Sequence, residues 1–137
     1  VKLSDVYTLL KPIKRRINAI VCKAILAELK TDSDFPLCKV KLSKEESLED
    51  VELLMPYGFF SLPSNDAQLL ILNKNGDKAQ SAIIIASDVQ GKPENIDVED
   101  SGLYNRNGTH ILLKGSDVFI KCSGTVNVND GNLTVEN

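Results

Sequence analysis

Glycine cuts the last part of this chain into strand-sized pieces: Gly102, Gly108, Gly115, Gly124 and Gly131 fall at nearly regular steps. Within the pieces, apolar residues recur at every second position, at Val118, Ile120 and Cys122, then Val126 and Val128, then Leu133 and Val135, so each strand presents one apolar face. These faces cannot bury one another in a monomer. Copies of the same tail, wound around a common axis, supply the missing surface most simply, so a fibrous, oligomeric C-terminal segment is expected. The Asn, Asp, Ser and Thr between the apolar positions suit tight turns on the outside of a β-helical or prismatic shaft.

The 137 residues leave room for one modest core of about 80 to 100 residues plus such an appendage. A balance of 16 basic against 19 acidic residues, with a formal charge of -3, argues against an electrostatically driven binder of nucleic acid or anionic membrane. No apolar run approaches the roughly 20 residues that span a bilayer, and Val1 to Lys11 lacks the layout of a signal peptide. A protein made in the cytosol, leaving it only within an assembly, is the expectation. Cys22, Cys38 and Cys122 form no metal-type cluster and cannot all pair within one chain, so they read as buried reduced thiols.

Along the chain, residues 1–16 read as a short helix or an extended arm, with Ser4-Asp5 as the cap, Val6, Leu9 and Leu10 at helical spacing and Pro12 as the interruption. Lys11, Lys14, Arg15 and Arg16 make a basic cluster that suits a solvated linker better than a nucleic-acid site. Ile17 to Lys30 carries both a helix-forming composition and a strand-like alternation. Cys38, Val40 and Leu42 alternate with lysines as a half-buried strand would, after a turn at Thr31 to Asp34. Ser43 and Glu46 have capping-box spacing and predict a helical turn before Pro56. Leu69 to Leu72 and Ile83 to Ile85 flank Asn73-Lys74-Asn75-Gly76-Asp77 and predict a hairpin of two well-buried strands. Short strands closing on each other suggest a small barrel, and the polar stretch from Gly91 is the best boundary.

The order of pieces resembles one family. Ser47-Leu48-Glu49-Asp50-Val51-Glu52, Pro56-Tyr57-Gly58-Phe59-Phe60-Ser61-Leu62-Pro63, the apolar hairpin, Ala86-Ser87-Asp88, Gly102-Leu103-Tyr104-Asn105 and Gly108-Thr109-His110-Ile111-Leu112-Leu113 are together similar to the Mu-type phage baseplate spike proteins, also called tail-puncturing or baseplate assembly proteins. The resemblance covers about Ile17 to Cys122. It implies an all-β fold: an oligonucleotide/oligosaccharide-binding (OB) type barrel over residues 17–90, a linker at 91–101 and an intertwined trimeric β-helix over 102–137. It also implies that Ile17 to Lys30 is a long, bent barrel strand. Members of the family often end in a tip where a His-x-His pair from each chain holds iron. Here His110 is the only histidine and lies upstream of any tip, so that site is not carried over.

The remaining chemistry reads as structural. His110 would bind a cation only by meeting its copies on an axis, and a strand-start histidine is the simpler reading. Asp97, Glu99 and Asp100 could pose as a carboxylate pair for glycoside hydrolysis, but suit a solvated linker better. Tyr57, Phe59 and Phe60 could stack bases, yet a core or subunit-contact role fits an acidic chain better. The expectation is therefore a non-enzymatic, cofactor-free spike of a contractile tail, found in the virion baseplate and assembled in the host cytoplasm. Its expected partners are two further copies, a baseplate hub, a tip supplied separately or built without metal, and the target envelope, with no nucleic acid. Val118, Ile120, Cys122, Val126, Val128, Leu133 and Val135 are the expected trimer interface, and Tyr57, Gly58 and Phe59 the barrel turn and core. The alternative is a cytosolic single-strand-binding barrel with a β-rich oligomerisation tail.

Overall fold

A computed structural model describes residues 2–128. The chain folds as two compact units that divide between Asp88 and Val89. The first holds a helix, α1 (Leu3–Asn18), and five strands, β1 (Val21–Lys30), β2 (Leu37–Lys41), β3 (Ser47–Leu53), β4 (Gln68–Asn73) and β5 (Ser81–Ser87). The second holds β6 (Ser101–Tyr104), β7 (His110–Lys114) and β8 (Asp117–Lys121).

The strands of the first unit close in the order β1-β2-β3-β5-β4, as in an OB-type barrel. Every neighbouring pair is antiparallel except β3 with β5, where Glu52 faces Ala82 and Leu53 faces Ile83 in parallel. Alternation then fills the interior: Ala24, Leu26, Cys38, Val40, Val51, Leu53, Leu69, Ile71 and Ile83, with Ala67 from the preceding loop, form the buried core. β1 is long enough to pair with both β2 and β4, and a register shift between Leu26 and Glu28 bends it between them. The strand reading of this region therefore holds from Val21, where pairing across the barrel overrides helix propensity. Ile17 and Asn18 belong instead to α1, and a turn at residues 19–20 leads into the strand.

Several local expectations fail, each for a physical reason. Pro12 does not stop α1, which runs on to Asn18. A proline inside a helix costs about 3 kcal/mol and removes one backbone donor, but it does not forbid the helix where packing or solvent meets the orphaned carbonyl. The cap also lies elsewhere: the Lys2 backbone N–H donates to the Asp5 carboxylate at 3.3 Å, and Ser4 sits inside the first turn. Ser43 makes no helix, because its Oγ accepts from the Glu45 and Glu46 amides at 3.3 and 3.1 Å and turns the chain straight into β3. Ile84 and Ile85 are exposed, since Ile85 pairs with Leu70 and Ile83 with Ile71; the extra residue at that register shift turns the run outward. Apart from α1 the main elements are β-strands, as the expected all-β class with a short N-terminal helix requires. In the second unit the described residues form an antiparallel sheet, β6-β7-β8. Leu133 and Val135 lie outside the described residues.

One buried polar group ties α1 to the barrel. Asn73 ends β4 with no exposed surface; its Nδ2 donates to the Ala19 carbonyl at 2.6 Å, and its backbone N–H donates to the Ile20 carbonyl at 2.8 Å. The Ser81 hydroxyl donates to its side-chain oxygen. The next turn approaches the helix end so closely that a Cβ at Gly76, where φ is +69°, would overlap the Arg16 carbonyl oxygen. Asn73→Leu should therefore leave the Ala19 carbonyl with only the weak Cys22 thiol at 3.5 Å, while the Ser81 hydroxyl keeps the Lys78 carbonyl at 2.8 Å, and lower stability by about 1–3 kcal/mol. Urea unfolding of the variant checks this, and an unchanged midpoint would show that the clamp carries no weight.

Candidate functional site

The pairing of β6, β7 and β8 sorts their side chains onto two faces. Leu103, Ile111 and Ile120 stand in register, as do Ser101, Leu113 and Val118, so the five apolar side chains share one face. All five are 42–62% exposed, as a contiguous apolar patch on a small sheet. The other face carries Tyr104, His110, Leu112, Lys114, Phe119 and Lys121.

That second face is engaged by its own chain. Lys114 Nζ donates to the Asn95 carbonyl at 3.1 Å and to Asp97 at 2.7 Å, and lies 3.6 Å from Asp100. Asp100 in turn accepts the Asp97 backbone N–H at 2.8 Å. The hydrogen bond that Lys114 donates to Asp97 is the main reason that its ammonium is held above its ordinary range, with partial desolvation opposing. Asp97 and Asp100 therefore serve as a clamp for Lys114, which is a different arrangement from a pair of catalytic carboxylates. His110 begins β7 with Nδ1 2.9 Å from the Gly108 carbonyl oxygen. Among the described residues, no three His, Cys, Asp or Glu side chains gather closely enough to hold a metal ion.

Of the residues read as an interface, the structure brings Val118 and Ile120 together on the bare face. Cys122 lies past the end of β8 and its thiol points to the Gly124 carbonyl at 3.4 Å. Val126 and Val128 are exposed and belong to no strand. Leu103, Ile111 and Leu113 were not singled out from the sequence as interface; their signal was there, because Ile111 and Leu113 alternate as Val118 and Ile120 do. All three cysteines are free, and burial pushes the Cys38 thiol up from its usual value.

Tyr57, Gly58 and Phe59 form the expected turn, with Gly58 at φ +83° and the Phe59 amide donating to the Pro56 carbonyl at 3.1 Å. They are not core. Tyr57 is fully exposed and Phe59 and Phe60 are 67% and 84% exposed, because the loop from Leu54 leaves the barrel wall before the rings can turn inward. Elsewhere on the barrel, an open groove of about 520 Å³ runs past Lys23, Ile25, Lys41, Gln68, Leu70 and Ile85. No aromatic side chain lines it, so bases entering it would find no stacking platform. No helix of the described residues is long and apolar enough to cross a membrane.

Residues 23–90 match the family described as bacteriophage Mu Gp45, N-terminal. Over 93% of its length the chain is 28% identical to the baseplate puncturing device gp45 of Escherichia phage Mu, covering 66% of that protein. Over 83% of its length it is 22% identical to the Mu-like prophage FluMu protein gp45 of Haemophilus influenzae, covering 63% of it. The chain thus spans a little under two thirds of the curated relatives it matches.

The Lys114 clamp has a testable sign. A cation whose folded pKa is raised contributes stability that is complete below its unfolded value near 10.5 and is lost as pH rises through the folded value. Lys114→Met should therefore speed amide exchange at Asp97 to Asp100 at neutral pH, and above that range the unaltered chain should lose the same protection once the base-catalysed rise in intrinsic exchange is divided out. Exchange unchanged by either would mean that the segment is held by something else.

Proposed function

Since the chain belongs to the Mu-type baseplate spike family, whose N-terminal model its residues 23–90 match, we propose that it is the central spike of a contractile phage tail baseplate, or of a related injection particle, and acts mechanically as a homotrimer. The observation that carries this reading is the exposed apolar face of Leu103, Ile111, Leu113, Val118 and Ile120, all in register on one side of the sheet, with Lys114 on the reverse side held by Asp97 within the chain. Three such faces turned toward one axis would bury each other, whereas two sheets pressed together leave the remaining edges open to solvent. The tail would then wind into an intertwined β-helical shaft, continuing the alternation through Val126, Val128, Leu133 and Val135.

A shaft of this kind suits a piercing role. Its outer strands, β6 and β8, would bond to strands of other copies, so that no free sheet edge remains at which it can peel and load is shared along the whole column. The barrel acts as the fitting that joins the shaft to a baseplate hub, with the exposed Tyr57–Phe60 turn as one contact surface. The similarity to a baseplate puncturing device supports a place in the virion tail and a transient contact with the target envelope. The work is done by shape and stiffness, without covalent chemistry.

A matched pair of substitutions tests this. Val118→Asp would set three carboxylates on a dry axis, at a cost of several kcal/mol for each unpaired charge. Val98→Asp makes the same chemical change at a loop residue that is 92% exposed. Particles carrying Val118→Asp should fail to assemble a baseplate or to deliver their contents, while Val98→Asp particles behave as the parent. Equal infectivity of both would overturn the shaft, and salt-dependent binding of single-stranded DNA by the purified protein would favour the nucleic-acid-binding barrel instead.

A further inference from the structure

α1 buries no residue of its own, although it is firmly mounted: Asn73 holds the two carbonyls that follow its end, and the turn at Gly76 presses against Arg16. Its apolar residues are not scattered. Leu3, Val6, Leu10, Ile13 and Ile17 step by three, four, three and four residues, which is the a/d seam of a coiled coil, and they are 42–79% exposed. We propose that this seam is covered by the same helix of two further copies, in a short parallel three-helix bundle at the barrel end of the assembly. The proposal rests on the homotrimer reading and adds to it a second, separate zone of contact.

Three features select copies of this chain over other occupants. The first is the choice of side chain. The step of three from Leu3 to Val6 fixes Leu3, Leu10 and Ile17 at a, and Val6 and Ile13 at d, and leucine at a with β-branched residues at d favours three or four strands over two. The second is charge. In parallel helices each g position meets the e position of its neighbour, which places Lys2 by Tyr7 and Leu9 by Lys14. No like charges meet across the seam. Lys11 and Arg15 radiate outward, and the basic last turn suits the negative end of the helix dipole.

The third is size. Five seam side chains bury roughly 60–120 Å² each, or about 300–600 Å² per helix, against the roughly 800 Å² per partner of a stable independent interface. A seam this small, on a helix that contains Pro12, does not hold a foreign partner unaided. It suffices where the chains are already gathered by another contact, as the shaft would gather them.

Disulfide trapping in the full-length protein tests the bundle. Leu10→Cys places a thiol on the seam, and Thr8→Cys places one on the opposite side of the same helix. Under mild oxidation the seam variant should form covalent two-chain species at least ten-fold faster than the Thr8 variant or the parent with its native cysteines. Sedimentation of the same samples separates the two readings. A three-chain species without preferential trapping at Leu10 would overturn the helix bundle and leave the shaft standing, whereas a monomer would overturn both. Cosedimentation with anionic phospholipid vesicles that Leu10→Lys abolishes would assign the seam to a lipid surface and also overturn the bundle.

Discussion

The parallel pairing of β3 with β5 is the constraint on which the first unit depends. It is only two residues long in register, Glu52 with Ala82 and Leu53 with Ile83, yet without it the five strands would be an open sheet with two edges. Closure brings Val51, Leu53 and Ile83 into one interior with Leu26, Val40 and Ile71. The antiparallel pairing of β4 with β5 sets Ser81 opposite Asn73, which completes the polar clamp beneath α1. A helix with no buried side chain thereby acquires a fixed direction.

Each unit is left with more apolar surface than it can cover. On α1 the uncovered residues include a coiled-coil seam, on the β6-β7-β8 sheet five of them share one face with Tyr104 and Phe119 half-exposed on the other, and between them in sequence the turn at Tyr57 to Phe60 projects aromatic rings into solvent. An ordinary monomeric domain does not carry such surfaces without use. Ion pairs contribute little to this pattern: Lys30 with Asp50 at 3.0 Å links β1 to β3 across β2, and Lys39 with Glu49 at 2.7 Å links β2 to β3, where exposure keeps such pairs weak. Apolar faces and the buried Asn73 clamp are what give the chain its specificity of shape.

Much of this was legible in the sequence where the period of two was clean. The alternation at Cys38 and Val40, the hairpin around Asn73 to Asp77 and the faces of Val118 and Ile120 could be read directly, because each side chain's environment there follows from its position in one strand. The failures have a common cause, in that local signals were outweighed by pairing with distant residues. Ser43 and Glu46 have capping-box spacing, but β2 and β3 pair across that turn. Ile84 belongs to a continuous apolar run, but the register of β5 on β4 turns it outward. At α1 the error ran the other way: Pro12 was read as a stop, which hid that Ile13 and Ile17 continue the spacing of Leu3, Val6 and Leu10. The aromatic turn was found but misplaced, since composition alone does not tell a ring buried in a barrel from one kept for a neighbour.

The central claim is that the bare faces are completed by identical chains, and the mass of the assembled protein tests it most directly. Sedimentation equilibrium at micromolar concentration and moderate salt should give a single species of three times the 15.0 kDa chain mass, unchanged on raising the salt, because the contacts are apolar. A monomer at that concentration, or a dimer that dissociates with salt, would contradict the account.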